Sequence, residues 1–192
     1  MTDTEREIEN LKQQLPQHPA TADIICNRIG ELYGSQGDFD KALPYFHRAI
    51  QINPLVSSYH YNLGLVMQNK NEIQEAIACY TQSLTLEPNL LAYNNRATIY
   101  IGQGKYDEAI ADCNAALKFN QCKDPYFRVL VLATRADALM GKEEYDKALR
   151  DLEAGMNIIE PDDDIIGFYD KSIIKCNIKL GKSCKEIYST KK

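Results

Sequence analysis

A six-residue string recurs four times in this chain, and the recurrence constrains the fold more tightly than any composition figure. The copies are Gly37-Asp38-Phe39-Asp40-Lys41-Ala42, Asn71-Glu72-Ile73-Gln74-Glu75-Ala76, Gly104-Lys105-Tyr106-Asp107-Glu108-Ala109 and Glu143-Glu144-Tyr145-Asp146-Lys147-Ala148. Their alanines stand 34, 33 and 39 residues apart. Each copy reads as a turn, where Gly or Asn tolerates positive φ, followed by an apolar residue that opens a helix. Apolar residues on both sides of every copy recur with the 3.6-residue helical period. Each copy therefore joins a first helix, A, to a second, B, and the predicted class is all-α, built from stacked helix pairs.

The first complete pair shows the packing logic. Ile29, Gly30 and Tyr33 form one face of helix A; Phe39, Ala42, Phe46, Ala49 and Ile50 form one face of helix B. Gly30 and Ala42 lack bulk, so the two backbones can approach closely while Phe46 and Tyr33 fill the space around the contact. Asn53-Pro54 then ends helix B. The later pairs keep these volume classes. The small position of helix A is Gly30, Gly64, Ala97 and Ala136, and the small positions of helix B are Ala42, Ala76, Ala109 and Ala148, then Ala49, Ser83, Ala116 and Gly155. Between them the large position holds Phe46, Tyr80, Cys113 and Leu152. Pro88 and Pro161 terminate later B helices, whereas the third pair has Gln121 there and reaches Pro125 only after a connector, Asn120 to Asp124, that accounts for the 39-residue step.

This register resembles the tetratricopeptide repeat (TPR) family over about residues 21 to 161. The resemblance implies a right-handed superhelical solenoid of antiparallel helix pairs with capping helices at both ends. The expected divisions are a capping helix and linker at 1–20, repeats at 21–56, 57–89, 90–123 and 124–161, and a C-terminal capping helix with a truncated fifth repeat at 162–192. The family often has Trp at the fourth position of helix A, where this chain has Cys26, His60, Tyr93 and Leu132. Arg96 and Arg135 stand where Leu is usual, and these substitutions soften the packing pattern without changing its period. Thr4 to Leu15 reads as an amphipathic cap with Ile8, Leu11 and Leu15 on one side; the alternative is that it lies in the groove as an internal ligand. Asp162-Asp163-Asp164 is expected to cap a helix running to about Leu180, broken by Gly181, with Ser183 to Tyr188 as the stub of a fifth helix B. Lys171, Lys175, Lys179 and the lysines that follow read as a solvated face, with docking of an acidic partner or lipid head group as the alternative.

Composition narrows the function. A net charge of −5 argues against nucleic-acid binding, which needs a basic face. No apolar run approaches the ~20 residues that span a bilayer, so no membrane insertion is expected. The opening residues Met1 to Glu7 lack the basic and apolar regions of a secretory signal, and the expected location is cytoplasmic. Six cysteines with no CxxC pair read as reduced thiols packed on helix faces, and neither metal nor cofactor is expected. His18, His47 and His60 have no neighbouring nucleophile or carboxylate in a catalytic context. Gly181-Lys182-Ser183 fails as a phosphate loop, because Cys176 stands where the first Gly belongs and no strand precedes it. The chain is therefore not expected to be an enzyme.

In the resembled family the second, fifth, sixth and ninth positions of the A helices line a concave groove. Here they are Ile24, Asn27, Arg28 and Glu31; Ser58, Tyr61, Asn62 and Leu65; Leu91, Asn94, Asn95 and Thr98; Leu130, Ala133, Thr134 and Asp137. Amides in such a wall can bond the backbone of an extended peptide, and Tyr61, Leu65 and Leu91 offer apolar contact. Asn62 and Asn95 share the sixth slot, either as rungs that grip a peptide or as bridges between neighbouring helices. The carboxylate clamp of Hsp70- and Hsp90-binding co-chaperones is not expected. Its slots hold Asn27, Glu31, Asn62, Leu91 and Asn95 in one frame and Tyr61, Leu65, Asn95, Leu130 and Thr134 in the next, one match each and no cation. The expected role is a protein-interaction adaptor that binds a peptide or protein segment in the groove, as a monomer or weak dimer. Alternatives are a small chaperone sequestering a partner segment and a scaffold subunit of a larger complex.

Overall fold

The computed structural model describes residues 2–118, 125–158 and 166–181, and everything structural below concerns these. They form ten α-helices and one short 3-10 turn, with no strand among the described residues. The helices are α1 (Asp3–Gln14), α2 (Ala22–Ser35), α3 (Phe39–Ile52), α4 (Ser57–Asn69), α5 (Ile73–Leu86), α6 (Leu90–Gly102), α7 (Tyr106–Lys118), α8 (Pro125–Gly141), α9 (Tyr145–Met156) and α10 (Ile166–Lys179). They divide into two compact units, residues 1–92 and 93–192. The connector Asn120 to Asp124, the Asp162 to Asp164 cap and the Ser183 to Tyr188 stub lie outside the described residues.

The recurring string is one turn built four times. Gly37, Asn71, Gly104 and Glu143 have φ of 78°, 63°, 73° and 62°. After each, the next amide donates to the carbonyl five residues back: Asp38 to Tyr33, Glu72 to Met67, Lys105 to Tyr100 and Glu144 to Leu139, at 2.9–3.0 Å. The preceding amide closes on the carbonyl three residues back. This is a Schellman closure, which satisfies carbonyls that a helix end otherwise leaves without partners. The left-handed residue reverses the chain, and helix B starts two residues later.

In unit 1 the small-on-large contact is Gly30 against Phe46 and Gly64 against Tyr80; a Cβ at either glycine would stand 2.7 Å from the ring. Leu63 and Val66 of α4 pack with Ala42 and Phe46 of α3, and Tyr59 of α4 packs with Ala49 and Cys26. The same three slots of α2, Ile25, Ile29 and Leu32, are covered by Ile8 of α1, with Leu11 and Leu15 beside it. Helix α1 therefore stands toward α2 as α3 stands toward α4. It caps an apolar flank in the manner of a missing helix B. A capping box between Thr2 and Glu5 fixes its start.

Unit 2 uses different side chains in the same register. Arg96 Nε and Nη2 bond Asp112 at 2.8 and 2.7 Å, and Arg135 Nε and Nη2 bond Asp151 at 2.7 and 2.6 Å. Each arginine reaches the aspartate 16 residues on, in its own helix B. Both arginines are half-buried and matched by planar, two-pronged ion pairs. At the C-terminal end α10 packs on the preceding pair through Tyr169, Ile173 and Cys176. The Tyr169 hydroxyl donates to the Val129 carbonyl at 2.6 Å. In unit 1 the Tyr59 hydroxyl donates to Asp23 Oδ2 at 3.2 Å, so in both units a tyrosine of one A helix bonds the residue one place before the first groove slot, Ile24 or Leu130, of the A helix that precedes it.

Candidate peptide-binding face

In unit 1 the groove slots form a connected polar surface. Asn27 Nδ2 donates to Glu31 Oε1 at 2.8 Å, and Asn62 Nδ2 donates to both Asn27 Oδ1 and Glu31 Oε1 at 3.0 Å. Arg28 lies 2.9 Å from Glu7 of α1 and 3.5 Å from Glu31. The Arg28 guanidinium pKa is held above its ordinary value, first by the Glu7 bond and then by Glu31. Helix α1 thus contributes a carboxylate to this face although its apolar side covers the flank. Glu7 was not among the sequence candidates; only a contact 21 residues away in sequence reveals it.

Below this surface lies a pocket of about 290 Å³ between α2, α3 and α4. Phe39, Phe46, Leu65 and Val66 supply its apolar lining, while Glu31, Asn62 and Asn69 supply polar atoms. Asn69 Nδ2 bonds the Leu65 carbonyl at 2.8 Å, which fixes it one turn beyond Leu65. From the sequence Phe39 reads as a packing residue of helix B, and no pattern singles out Asn69. Tyr61 stands beside Tyr80, ring centroids 5.9 Å apart, and Ile24 is 59% exposed. Leu91, at the start of α6, is half-buried.

Unit 2 handles its slots differently. Asn94 is buried, and its Oδ1 lies 2.9 Å from the Thr134 hydroxyl, which is also 3.0 Å from the Leu130 carbonyl. Asn94 and Thr134 are therefore committed to each other, and Ala133 is buried beside them. The pairing matches unit 1: a sixth-slot residue, Asn62 or Thr134, bonds the fifth-slot Asn of the preceding A helix, Asn27 or Asn94. These polar side chains bridge neighbouring A helices. Thr98 is exposed with its hydroxyl on the Asn94 carbonyl at 3.0 Å, and Asn95 is half-buried. Asp137 is also half-buried; loss of hydration raises its pKa, and the Lys175 charge on α10 opposes the rise.

The thiols of Cys26, Cys113 and Cys176 are buried and that of Cys79 is half-buried, all unbridged. Burial pushes Cys113 up to about 12, which keeps it protonated and unreactive. Among the described residues no cluster of three His, Cys, Asp or Glu is placed to hold a metal ion, and no helix is long and apolar enough to cross a membrane.

Helix pairs stacked through small-on-large contacts and closed by one repeated turn define a helical-repeat interaction module. The sequence matches the tetratricopeptide repeat family over residues 24–54, 57–90 and 91–121, half of the chain, and the protein belongs to that family. It is 41% identical over 56 residues to the Hsp70-Hsp90 organizing protein of Triticum aestivum, covering 29% of this chain and 10% of that one. It is 29% identical over 97 residues to the peroxisomal targeting signal receptor of Kluyveromyces lactis, covering 50% and 17%. The chain thus spans only a small part of the length of either relative. A tetratricopeptide repeat protein from Parabacteroides merdae superimposes with a TM-score of 0.76 at 18% identity, over 94% of this chain and 68% of that one, a likeness of fold. Proteins of this family bind other proteins or peptides.

Proposed function

We propose that the protein is a non-catalytic, cytoplasmic adaptor that binds an extended segment of a partner protein along the A-helix face of unit 1. The observation that carries this reading is the 290 Å³ pocket, whose apolar lining opens beside the polar atoms of Glu31, Asn62 and Asn69. A large aliphatic side chain of the partner fills the pocket, and its neighbouring peptide groups bond the amides at the rim. A carboxylate clamp does not belong to this reading, because the slots that would supply its donors hold Asn27 and Asn62 with their amides turned onto the Glu31 carboxylate. A second carboxylate brought to that point meets like charge.

The test is selection of peptides from a displayed library on the full chain, followed by affinity measurement with Asn62→Ala and Leu65→Ala. Each substitution is expected to weaken the selected peptides by roughly 1 to 3 kcal/mol. The Asn62 change should barely move the melting temperature. Selected peptides indifferent to both substitutions would refute the site. A lowered melting temperature with unchanged affinity for Asn62→Ala would leave that amide a purely structural bridge.

A further inference from the structure

The slot between successive B helices has the same register in both units and opposite chemistry. In unit 1 the repeat register assigns to it Asp40, Leu43 and His47 of α3 with Leu63, Met67, Lys70, Glu72, Glu75, Ala78 and Cys79 of the next pair. Leu63 belongs to a hydrophobic cluster against which Leu43, Met67 and Cys79 pack, so the inner wall there is apolar. Its charges are one cation, Lys70, against Asp40, Glu72 and Glu75. In unit 2 the same positions open a pocket of about 410 Å³ lined by α7, α8, the turn after α8 and α9. The Lys70–Asp40 pair recurs as Lys142–Asp107, but Leu63 and Cys79 become Arg135 and Asp151, Glu75 becomes Lys147, and Ala78 becomes Arg150. Four cations now face three carboxylates.

The existing bonds show which charge is left over. Arg135 is occupied by Asp151 and by Asn114 Oδ1 at 2.7 Å. Lys142 reaches Asp107 and Glu144, and Lys147 shares Glu144. Arg150 is exposed and makes no ion pair among the described residues. Lys147 and Arg150 stand three residues apart on α9, hence on one face of that helix.

We infer that this pocket in unit 2 is a binding site for the carboxylate side chain of an acidic protein segment, separate from the A-helix face of unit 1. The excess of one positive charge is balanced by one carboxylate. A phosphate dianion would leave a negative charge in a half-enclosed site, where an unmatched charge is costly. Arg150 supplies the uncommitted guanidinium, Lys147 adds the ammonium hydrogens that its pair with Glu144 leaves over, and the Arg135–Asp151 pair forms the fixed inner wall.

The test is a titration of the isotopically labelled full chain, followed by NMR through backbone amides and arginine Nε–H groups. End-blocked hexaglutamate is one probe and inorganic phosphate the other. Hexaglutamate is expected to shift Asn114 and residues 142–151. Lys147→Gln with Arg150→Gln, both exposed, should weaken it at least tenfold without lowering the melting temperature. Equal affinity in the double variant overturns the inference. So do shifts confined to the α10 lysines or to unit 1, or the absence of binding at millimolar peptide. Phosphate binding at the same residues more tightly than hexaglutamate assigns the pocket to a phosphoryl group and overturns it as well.

Discussion

Units 1 and 2 close the same helix pairs with two different sets of side chains. Unit 1 places glycine against a ring, Gly30 on Phe46 and Gly64 on Tyr80; unit 2 has Ala97 and Ala136 in the glycine slot, with the smaller Cys113 and Leu152 in the ring slot. Volume removed from one helix is returned on the other, which keeps the contact filled. The seventh slot of helix A differs more deeply. It is Ile29 beside Tyr45 and Leu63 beside Cys79 in unit 1, but Arg96 with Asp112 and Arg135 with Asp151 in unit 2. Charge follows the same division. Residues 1–92 carry six Lys and Arg against eleven Asp and Glu, the whole of the net charge of −5, while residues 93–192 carry sixteen of each. The repeat specifies shape and leaves the means of filling it open, and unit 2 has used that freedom to build polar walls.

The largest effect should come from breaking one of those walls. Asp151→Ala leaves the Arg135 guanidinium, 24% exposed, without its counter-charge, and is expected to cost about 2–4 kcal/mol in urea unfolding. The double change Arg135→Leu with Asp151→Cys imports the unit 1 pair and should return to within about 1 kcal/mol of the parent, or exceed it. If the double variant is as unstable as the single one, the two solutions are not interchangeable.

Gly64→Ala tests the other half of the comparison. Its Cβ would stand 2.7 Å from the Tyr80 ring, whose hydroxyl is tied to Gln68 at 2.7 Å and so resists displacement. The expected loss is about 1–2 kcal/mol, overpacking outweighing the better helix propensity of alanine. Adding Tyr80→Cys, as in the third pair, should recover much of it. Calorimetric melting of the three proteins decides whether small and large slots compensate as a pair.

The periodic part of this arrangement is legible in the sequence. The turn string, the small and large slots and the capping character of α1 each follow from local chemistry repeated at a fixed interval. The pairings between side chains are not, because one period admits several partners. Arg96 and Arg135 look like defects until Asp112 and Asp151 are seen 16 residues beyond each, a second repeat hidden inside the first. Likewise Asn94 and Thr134 share groove slots with Asn27 and Asn62, yet their burial depends on how A helices stack, which no single slot encodes. The unit 1 pocket needs Phe39 from the start of α3 and Asn69 from the end of α4, the first legible only as a packing residue and the second in no repeated slot.

Acid should separate the units with opposite signs. In Asp23 the loss of hydration favours the neutral acid, but bonds from the Ile24 amide, Asn53 and Tyr59 outweigh it and lower the pKa. Its contribution is complete above the ordinary aspartate range and is lost as pH falls through the lowered folded value. Asp137 is raised by loss of hydration, so it opposes folding above its raised value and ceases to do so as pH falls below the ordinary range. Asp137→Asn should therefore raise the melting temperature at pH 7, with the gain vanishing in acid. Asp23→Asn should lower it at pH 7 and remove an acid-side loss. Parallel pH profiles for the parent and both variants would contradict these assignments.

The smallest effect concerns the turn that both units share. Three of its four left-handed positions carry Gly or Asn, while the fourth is Glu143 at φ 62°, where a side chain with a Cβ is disfavoured by about 1 kcal/mol. Glu143 leads the turn before α9, and its neighbour Glu144, not Glu143, holds Lys142 and Lys147. Glu143→Gly should therefore stabilise the chain by about 0.5–1 kcal/mol, partly offset by the greater freedom of glycine in the unfolded chain. Asn71→Gly, at φ 63°, should gain less, because asparagine already tolerates this region. Equal gains at the two positions would mean that the side chain does not set the energy of this turn. A larger gain at Glu143 would show that unit 2 retains a backbone strain that unit 1 has relieved at Asn71.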